Sequence, residues 1–392
     1  MEAYIVAAVR TAGGRRGGRL SGWHPADLAG RVIDDLVARV DADPAMVEDV
    51  IMGCVGQVGE QAFNIARNAV LASKLPESVP ATSVDRQCGS SQQALHFAAQ
   101  AVMSGTMDAV IAAGVESMSR VPMGSPVALA KKAGLGDYFS PAMHERYPDV
   151  DDFSQFVGAE MVAKKYGLTK DELDAYALSS HQRAMEATRE GRFRDEVLPL
   201  PVRGQDGTES DELHEVDEGI RFDASLEGIQ GVQPIQEGGY LSAASASQIC
   251  DGAAGLMVVN ERGLKALGVE PLARVHHLTV IGHDPVIMLE APIPATEHAL
   301  KKAGMSLDDI DLFEVNEAFA SVPLAWLRAT GADRDRMNVI GGAIALGHPL
   351  GGSGAKLMTT LVHALHQRDG RYGLQTMCEG GGLANVTIVE RL

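Results

Sequence analysis

The sequence predicts an α/β protein made of two related halves, with a loop-rich segment inserted between them. Apolar strand-like runs alternate with helical runs up to residue 119, and the same alternation returns after about residue 270. Between these parts, residues 120–240 hold most of the irregular, acidic and proline-containing sequence. Alternation of this kind indicates a mainly parallel sheet covered by helices.

The first half has runs typical of four strands and three helices. Leu28, Val32 and Leu36 recur at the spacing of one helix face, so 25–40 is predicted to be helical. The run DAVIAAG is almost wholly apolar, as a buried strand is, and a loop is predicted to follow it. The predicted strands are 2–9, the end of 47–54, 80–84 and 108–114, and the predicted helices are 25–40, 64–73 and about 88–103.

The middle segment breaks this pattern and is predicted to be an inserted, loop-rich domain that lies over the sheet. Helices are predicted only at 155–166 and 170–190. The acidic stretch 206–223 is more typical of a solvated loop than of a functional acidic site. The chain thus divides into an N-terminal half of residues 1–119 and 241–268, the inserted domain 120–240 and a C-terminal half of residues 269–392.

The second half repeats the plan of the first. In each half a short strand enters a turn that carries Cys88 or His348, a helix follows, and the next strand ends in a loop. If the halves pack as a pseudo-dyad, both helix N-termini point at one cleft, where ligands of open α/β sheets bind. The predicted strands are 252–259, 273–282, 312–315, 372–379 and 385–390, and the predicted helices are 293–303, 318–329 and 354–367.

Composition excludes several classes of protein. The net charge of −18 argues against nonspecific binding to nucleic acid or to an anionic membrane surface. No apolar stretch approaches the roughly 20 residues of a membrane span, and the N-terminus does not resemble a signal peptide. The four cysteines show no CxxC spacing, so neither a zinc site nor a dithiol motif is predicted. Free cysteines fit a reducing compartment, and we expect a cytoplasmic protein.

Cys88 is the first candidate for chemistry. It lies in the stretch DRQCGSSQQA, after a strand-like run and at the start of a predicted helix. The unpaired N–H groups and dipole of a helix N-terminus favour thiolate over thiol, and the thiolate is the nucleophile. A lone cysteine is more often an inert core residue, and this stretch alone does not exclude that alternative.

His348 lies between glycines in the stretch GGAIALGHPLGGSGAK. The stretch does not match a phosphate loop, because Ala355 precedes Lys356 and Leu357 follows it, so ATP binding is not predicted. A histidine on a glycine-rich turn before a helix is either structural or a general base.

Two further stretches carry polar groups at strand ends. Cys378 precedes three glycines whose freed N–H groups form a plausible oxyanion site, although a cysteine at such a position is more often core. Asn316 follows an apolar strand in VNEAFA, where it either caps a turn or holds a water or a base.

These four stretches, in this order and spacing, resemble the thiolase family, the acetyl-CoA C-acyltransferases. The resemblance covers the whole chain and includes AAGVESMS at 112–119, SSHQRA at 179–184 and SAASASQICDGAAG at 242–255. It implies a thiolase-like fold, in which duplicated βαβαβαββ halves form a layered α/β/α/β/α core with an inserted loop domain.

The resemblance also implies roles for the residues that match the family motifs. Cys88 matches the nucleophile that becomes acylated, and His348 matches its base and part of an oxyanion hole. Asn316 matches the residue that holds the water completing that hole. Cys378 matches the second acid/base, and the N–H groups of Cys88 and Gly380 match the second oxyanion hole.

Coenzyme A is implied as a co-substrate, with no permanently bound cofactor and no metal. In the family, Ser247 contacts the pantetheine arm, Ala318 and Phe319 line it, and an arginine near Arg221 meets the nucleotide. Phe156 matches the wall of the acyl pocket.

The implied activity is thiolytic cleavage of 3-oxoacyl-CoA by CoA to acetyl-CoA and a shortened acyl-CoA, through an acyl-enzyme. The implied assembly is a homodimer or homotetramer. Acetoacetyl-CoA synthesis by Claisen condensation is the alternative within the class, and a non-catalytic acyl-CoA or lipid carrier is the alternative of another class. A decarboxylating condensing enzyme would show a Cys-His-His or Cys-His-Asn site, whereas Cys378 precedes a glycine loop here.

The chain departs from the usual family pattern in a few places. Ser91 and Ala384 each replace a glycine without touching a catalytic group. Before Ala159-Glu160, where many members have Met-Gly or His-Met-Gly, this chain has Gln155-Phe156-Val157-Gly158, and 283–288 is a further pocket candidate. These departures leave open a short linear acyl chain and a bulky, branched or ring-derived one.

Overall fold

The computed structural model describes all residues from 1 to 392. The strands are β1 Tyr4–Thr11, β2 Gly14–Arg15, β3 Asp49–Gly53, β4 Ala81–Val84, β5 Ala109–Ser117, β6 Val197–Leu198, β7 Leu200–Arg203, β8 Glu209–His214, β9 Cys250–Val259, β10 Ala273–Gly282, β11 Leu312–Val315, β12 Tyr372–Glu379 and β13 Leu383–Arg391. The helices are α1 Pro25–Arg39, α2 Ile65–Leu71, α3 Ser90–Met103, α4 Ser125–Lys132, α5 Pro141–Arg146, α6 Gln155–Lys165, α7 Lys170–Arg189, α8 Leu226–Gln230, α9 Glu261–Leu267, α10 Pro292–Ala303, α11 Ser321–Thr330, α12 Ala343–Leu346 and α13 Ser353–Gln367.

The long strands form one mixed sheet in the order β11-β12-β13-β10-β1-β9-β5-β3-β4, to which the short strands β2 and β6 attach. Strands β3, β4 and β5 of the first half run parallel, as do β11 and β12 of the second. The two halves join where β1 pairs with β10, at Tyr4 with Arg274 and Ile5 with Ala273. A second, two-stranded sheet consists of β7 and β8.

Three apolar clusters separate the layers of the molecule. Alternate side chains of β5 enter different clusters: Val110 packs into the central cluster, and Ile111 packs into the outer one with α1 and α2. Val389 and Ile388 of β13 divide in the same way between the central cluster and the cluster with α10 and α11. Helices α3 and α13 fill the central layer, between the β9-β5-β3 side of the large sheet and its β11-β12-β13 side. The predicted α/β/α/β/α order is therefore confirmed.

Helices α3 and α13 approach each other closely at their first turns. A Cβ at Gly354 would overlap Gln92, so glycine permits this approach. The Ala355 N–H donates to Ser91 Oγ at 2.9 Å, so the serine that departs from the family pattern bonds the two helices. Both N-termini therefore lie at one end of the central layer, as the pseudo-dyad predicted.

The middle segment has more regular structure than its sequence pattern indicated. Besides α6 and α7 it contains α4, α5 and α8 and the antiparallel pair β7–β8. The prediction that 206–223 is a solvated loop is wrong, because β8 lies within it and Asp217 is buried against Arg10. The polar local sequence does not reveal this buried ion pair, because the partner of Asp217 lies in a distant part of the chain. The assignment of 120–240 to a separate domain stays a prediction.

Two smaller differences affect the site. Strand β5 continues to Ser117 rather than ending at residue 114, and α11 begins at Ser321 rather than at residue 318. Residues 318–320 are consequently an irregular segment that faces the cavity described below. No helix in the structure is both long and apolar enough to span a bilayer.

Candidate active site

Cys88 lies in the turn between β4 and α3, two residues before the first residue of the helix. Gln87 before it has a left-handed backbone, with φ of 49°. A non-glycine residue in this region is strained, and such strain is concentrated at functional sites. The Cys88 turn is thus held in an unfavourable conformation by its surroundings.

The Cys88 side chain is nearly enclosed, and the residue is 9% exposed. Burial, followed by the negative charge of Glu379, raises the pKa of the Cys88 thiol to about 12. The expectation that the helix N-terminus favours the thiolate is therefore wrong for the unliganded protein, because desolvation and a neighbouring carboxylate outweigh the dipole. Cys88 rests as a thiol and needs a base.

His348 is buried in the turn before α13 and is held in one tautomer. The Ser353 hydroxyl donates to Pro349 O at 2.9 Å, so its oxygen accepts from His348 Nδ1–H. Nε2 is left without a proton and lies 3.4 Å from Asn316 Nδ2. Burial and the charge of Lys356 lower the pKa of His348 to about 4. The imidazole is therefore neutral at neutral pH, and Nε2, which accepts from Asn316 Nδ2–H, is the nitrogen that can take up a proton.

Asn316 follows β11 directly and is almost fully buried. Its N–H donates to Thr376 O at 3.0 Å, which fixes the residue beside β12. Its Oδ1 is buried and accepts no hydrogen bond within the chain. A buried acceptor of this kind requires a partner, and a water or a substrate group can supply one.

Cys378 lies near the end of β12, where the hairpin with β13 brings it beside the Cys88 turn. A Cβ at Gly380 would lie 3.0 Å from Gln87 Cγ, so the two turns are in contact. Burial, then the neighbouring Cys88 and Glu379, raises the pKa of Cys378 well above that of a free thiol. The N–H groups of Cys88 and Gly380 donate to no other residue of the chain.

A cavity of about 440 Å³ leads to His348. The irregular segments on either side are tied together, since Ser247 N–H donates to Ala318 O at 2.9 Å. Phe156 at the start of α6 stacks edge-to-face on Phe319, with ring centroids 5.6 Å apart. The structure therefore brings together five of the residues predicted from the sequence: Phe156, Ser247, Ala318, Phe319 and His348.

Arg221 lines a second cavity of about 530 Å³ rather than the first. The two cavities share Ala243, Ala246 and Gln248, so they adjoin. The Arg221 backbone N–H donates to His181 Nδ1 at 3.2 Å, and its side chain is exposed. Arg221 thus lies in the adjoining cavity, which His348 does not line.

The segment 283–288 lines neither of these two cavities but contacts two parts of the site. A Cβ at Gly158 of α6 would meet Ile287 O at 2.8 Å, and the His283 N–H donates to Gly382 O at 2.6 Å in the glycine loop after Cys378. Its interpretation as a pocket element stays a prediction.

Several residues of the site were missed by sequence reasoning. Ser353 lies in the same stretch as His348, and Glu379 directly follows Cys378. This proximity in sequence was the signal available. Met123 and Ile235 come from the middle segment, where no local pattern marks a cavity residue. The further lining residues are Arg15, Arg16, Met118, Gln155, Ile249 and Leu350.

Comparison with known proteins gives a consistent result along the whole chain. The thiolase N-terminal domain matches residues 3–262, and the thiolase C-terminal domain matches residues 269–391. A steroid 3-ketoacyl-CoA thiolase from Mycobacterium tuberculosis is 51% identical over 393 residues, which is 100% of this chain and 94% of the relative. A 3-ketoacyl-CoA thiolase from Cronobacter sakazakii is 40% identical over 395 residues and 99% of each chain.

The fold agrees with a solved structure. The crystal structure of the Bacillus anthracis acetyl-CoA acetyltransferase superposes with a TM-score of 0.90 at 33% identity, covering 100% of this chain and 99% of that one. Sequence and fold agree over both halves. The chain therefore belongs to the thiolase family and is an acyltransferase of the thiolase class.

Proposed function

We propose that the protein cleaves 3-oxoacyl-CoA with CoA, and that Cys88, His348, Asn316 and Cys378 carry the reaction. The observation that carries this proposal is the contact between the Cys88 turn and the Cys378–Gly380 turn, at the end of the central layer where α13 and the His348 turn also begin. A nucleophile, a neutral base and a second thiol acid are thereby supplied by three separate segments.

In the first half-reaction, the Cys88 thiol gives its proton to His348 Nε2 while Sγ attacks the 3-carbonyl carbon. The carbon–carbon bond then breaks, and its electron pair forms the enolate of acetyl-CoA. Cys378 donates its proton to that carbon, which leaves the shortened acyl group on Cys88. The raised pKa of Cys378 suits a group that must begin as an acid.

In the second half-reaction, the Cys378 thiolate takes the proton of an incoming CoA thiol. The CoA sulfur attacks the acyl carbonyl, and Cys88 leaves and regains its proton from the His348 imidazolium. The free N–H groups of Cys88 and Gly380 form one oxyanion site. Asn316 and a water that it holds, together with His348, form the other. CoA is the only co-substrate that this scheme requires.

The CoA moiety is proposed to follow the two adjoining cavities. Ser247, Ala318 and Phe319 contact the pantetheine arm, and the exposed guanidinium of Arg221 meets the anionic nucleotide. The segment 120–240 covers both parts, since Phe156 and Arg221 come from it.

We propose that the acyl group is bulky and ring-bearing. Four large apolar side chains of the main cavity are exposed, at 37–44%, as expected for a wall that awaits an apolar ligand: Met123, Phe156, Ile235 and Ile249. The Mycobacterium tuberculosis relative is named for steroid substrates. The role is thus degradation of an apolar, ring-derived acyl chain.

The test is a panel of 3-oxoacyl-CoA esters with short linear, long linear, branched and ring-bearing chains, followed by loss of substrate on addition of CoA. The highest kcat/KM is expected for a ring-bearing ester. Cys88→Ala should form no acyl-enzyme, and Cys378→Ala should still be alkylated at Cys88 but should not turn over. Binding of every ester without cleavage would instead support a non-catalytic carrier, and preference for acetoacetyl-CoA would support a short-chain enzyme.

We also propose a cytoplasmic homodimer or homotetramer. All four cysteines are unpaired and buried, which suits a reducing compartment. Strand β4 forms one edge of the large sheet, and its free backbone groups are suited to pairing with a second copy.

A further inference from the structure

Glu379 is a buried carboxylic acid at the active site that the proposed reaction does not use. It is the last residue of β12, next to Cys378, and has no exposed surface. A Cβ at Gly89 would overlap the Glu379 carboxyl group. The side chain therefore packs directly against the residue that follows Cys88.

The same hairpin also contacts the other side of the nucleophile. Gly380 packs against Gln87, and Glu379 packs against Gly89, so the two contacts bracket Cys88. The Asn385 amide nitrogen, when it faces Glu379, lies within hydrogen-bond distance of both carboxyl oxygens. The carboxyl group is thus held in place between the two cysteines.

The charged groups around this carboxyl are few. Arg86 is the cation that acts on it, but the two form no ion pair, and Arg86 Nε is buried without a partner. Of the acids facing Cys88, Glu116 accepts from the N–H groups of Val55, Gly56 and Gly351, and Asp85 accepts from Gln87 N–H. In addition to burial, Cys88 in turn raises the pKa of Cys378. Glu379 is thus an acid that adjoins Cys378 in the chain and packs against the Cys88 turn, and no cation forms an ion pair with it.

We propose that Glu379 is a positioning residue that fixes the Cys88 turn against the Cys378 hairpin and that its carboxyl charge sets the pH at which Cys88 reacts. A negative charge beside a thiol disfavours the thiolate. In the absence of substrate both cysteines therefore stay protonated, and Cys378 is ready to act as an acid. This inference rests on the proposed function, in which Cys88 is the nucleophile.

Burial raises the pKa of Glu379 well above that of a free carboxyl, whereas Arg86 acts in the opposite direction. In addition to burial, the ionised Glu379 carboxyl group raises the pKa of the neighbouring Cys88 thiol. Removing its charge should therefore make the Cys88 thiolate easier to form.

The experiment measures the rate at which iodoacetamide alkylates Cys88 as a function of pH, with the modified cysteine identified by peptide mass spectrometry. Glu379→Gln should move the midpoint of this titration to lower pH by about one unit, the lower end of the effect of a nearby charge. Glu379→Asp, which keeps the charge, should stay near the wild-type midpoint. Glu390→Gln is the matched control, because Glu390 is an ion-paired acid of the same hairpin far from the cysteines.

Glu379→Ala provides a second variant if Glu379→Gln does not fold, and because it also lacks the carboxyl charge, its midpoint should likewise move to lower pH. Unchanged midpoints in both variants would overturn the proposal, and so would loss of thiolysis in Glu379→Gln with an unchanged midpoint. Alkylation of Cys88 by iodoacetamide does not require catalytic turnover, so it is measured independently of thiolysis. Thiolysis by Cys88→Ala would therefore contradict the proposed function without bearing on the Glu379 titration.

Discussion

The tautomer or pKa of each candidate catalytic side chain depends on neighbouring residues whose positions cannot be read from the sequence. Ser353 is the clearest case. Because its hydroxyl proton is donated to Pro349 O, its oxygen acts as the acceptor of His348 Nδ1–H. The tautomer with a free Nε2 is therefore favoured. A general base requires this unprotonated nitrogen.

Ser353→Ala should consequently lower kcat/KM by about tenfold, the worth of one buried hydrogen bond of roughly 1.5 kcal/mol. The fall should appear mainly in kcat, because Ser353 does not line the substrate cavity. Steady-state kinetics with the best substrate of the panel provide the measurement. Ser353→Thr keeps the hydroxyl and should retain most of the activity. Equal losses in the alanine and threonine variants would argue against a role for the hydrogen bond.

The stretches that supply the candidate residues were predictable, whereas the pKa shifts of those residues were not. Cys88, His348, Asn316 and Cys378 lie in recognisable stretches, and the structure gathers the first and last of them in contacting turns. The thiolate expectation failed because it considered only the local helix N-terminus. Burial and Glu379, which is distant in sequence, decide the proton affinity of Cys88.

At the scale of elements, strongly periodic segments were predicted well and the middle segment was not. The bounds of β10, β11 and β12 agree with the sequence prediction at both ends. Asp217 shows why 206–223 was misjudged. Its carboxylate accepts from Arg10 Nη1 at 2.9 Å and from Gly13 N–H at 2.7 Å, with Lys356 Nζ at 3.3 Å. This buried network ties the middle segment to β1 and to α13.

Asp217→Asn should lower the free energy of unfolding by about 3–5 kcal/mol at pH 7, because it leaves the buried Lys356 without an acidic partner and Arg10 with only Glu196. Burial would raise the pKa of Asp217, but Arg10 and Lys356 hold it well below the usual range. The folded-state pKa is thus depressed, so this stabilisation is fully present above the unfolded pKa of about 4 and is lost as the pH falls further.

Chemical denaturation across this pH range provides the measurement. The difference in the free energy of unfolding between the wild type and Asp217→Asn should become smaller below about pH 4. Asp35→Asn is the control, because Asp35 forms a partly exposed pair with Arg39 and should change stability by less than about 1 kcal/mol. Similar losses in the two variants would contradict the importance of the buried network.

At the scale of the whole molecule, the strand order of the large sheet could not be predicted from local sequence patterns. The β1–β10 pairing joins strands about 270 residues apart, and no short-range signal specifies such a partner. The free edge at β4 follows from the same order. Phe63 lies beside it and is 94% exposed, while its neighbour Asn64 bonds to Ala81 O. Phe63 and Asn64 both have left-handed backbones, with φ of 56° and 55°.

The left-handed backbones of Phe63 and Asn64 cost roughly 1–3 kcal/mol each. The Phe63 side chain is in addition exposed to water, so a compensating contact is expected. The proposed second copy would supply this contact by pairing at β4. Light scattering during gel filtration should therefore give at least twice the chain mass of 41.4 kDa. Phe63→Ser should shift the protein towards monomer on dilution, whereas Leu213→Ser, which changes an exposed apolar residue on the β7–β8 hairpin, should not. A wild-type monomer at micromolar concentration would refute this assembly, and an unchanged mass in Phe63→Ser would exclude this edge as its interface.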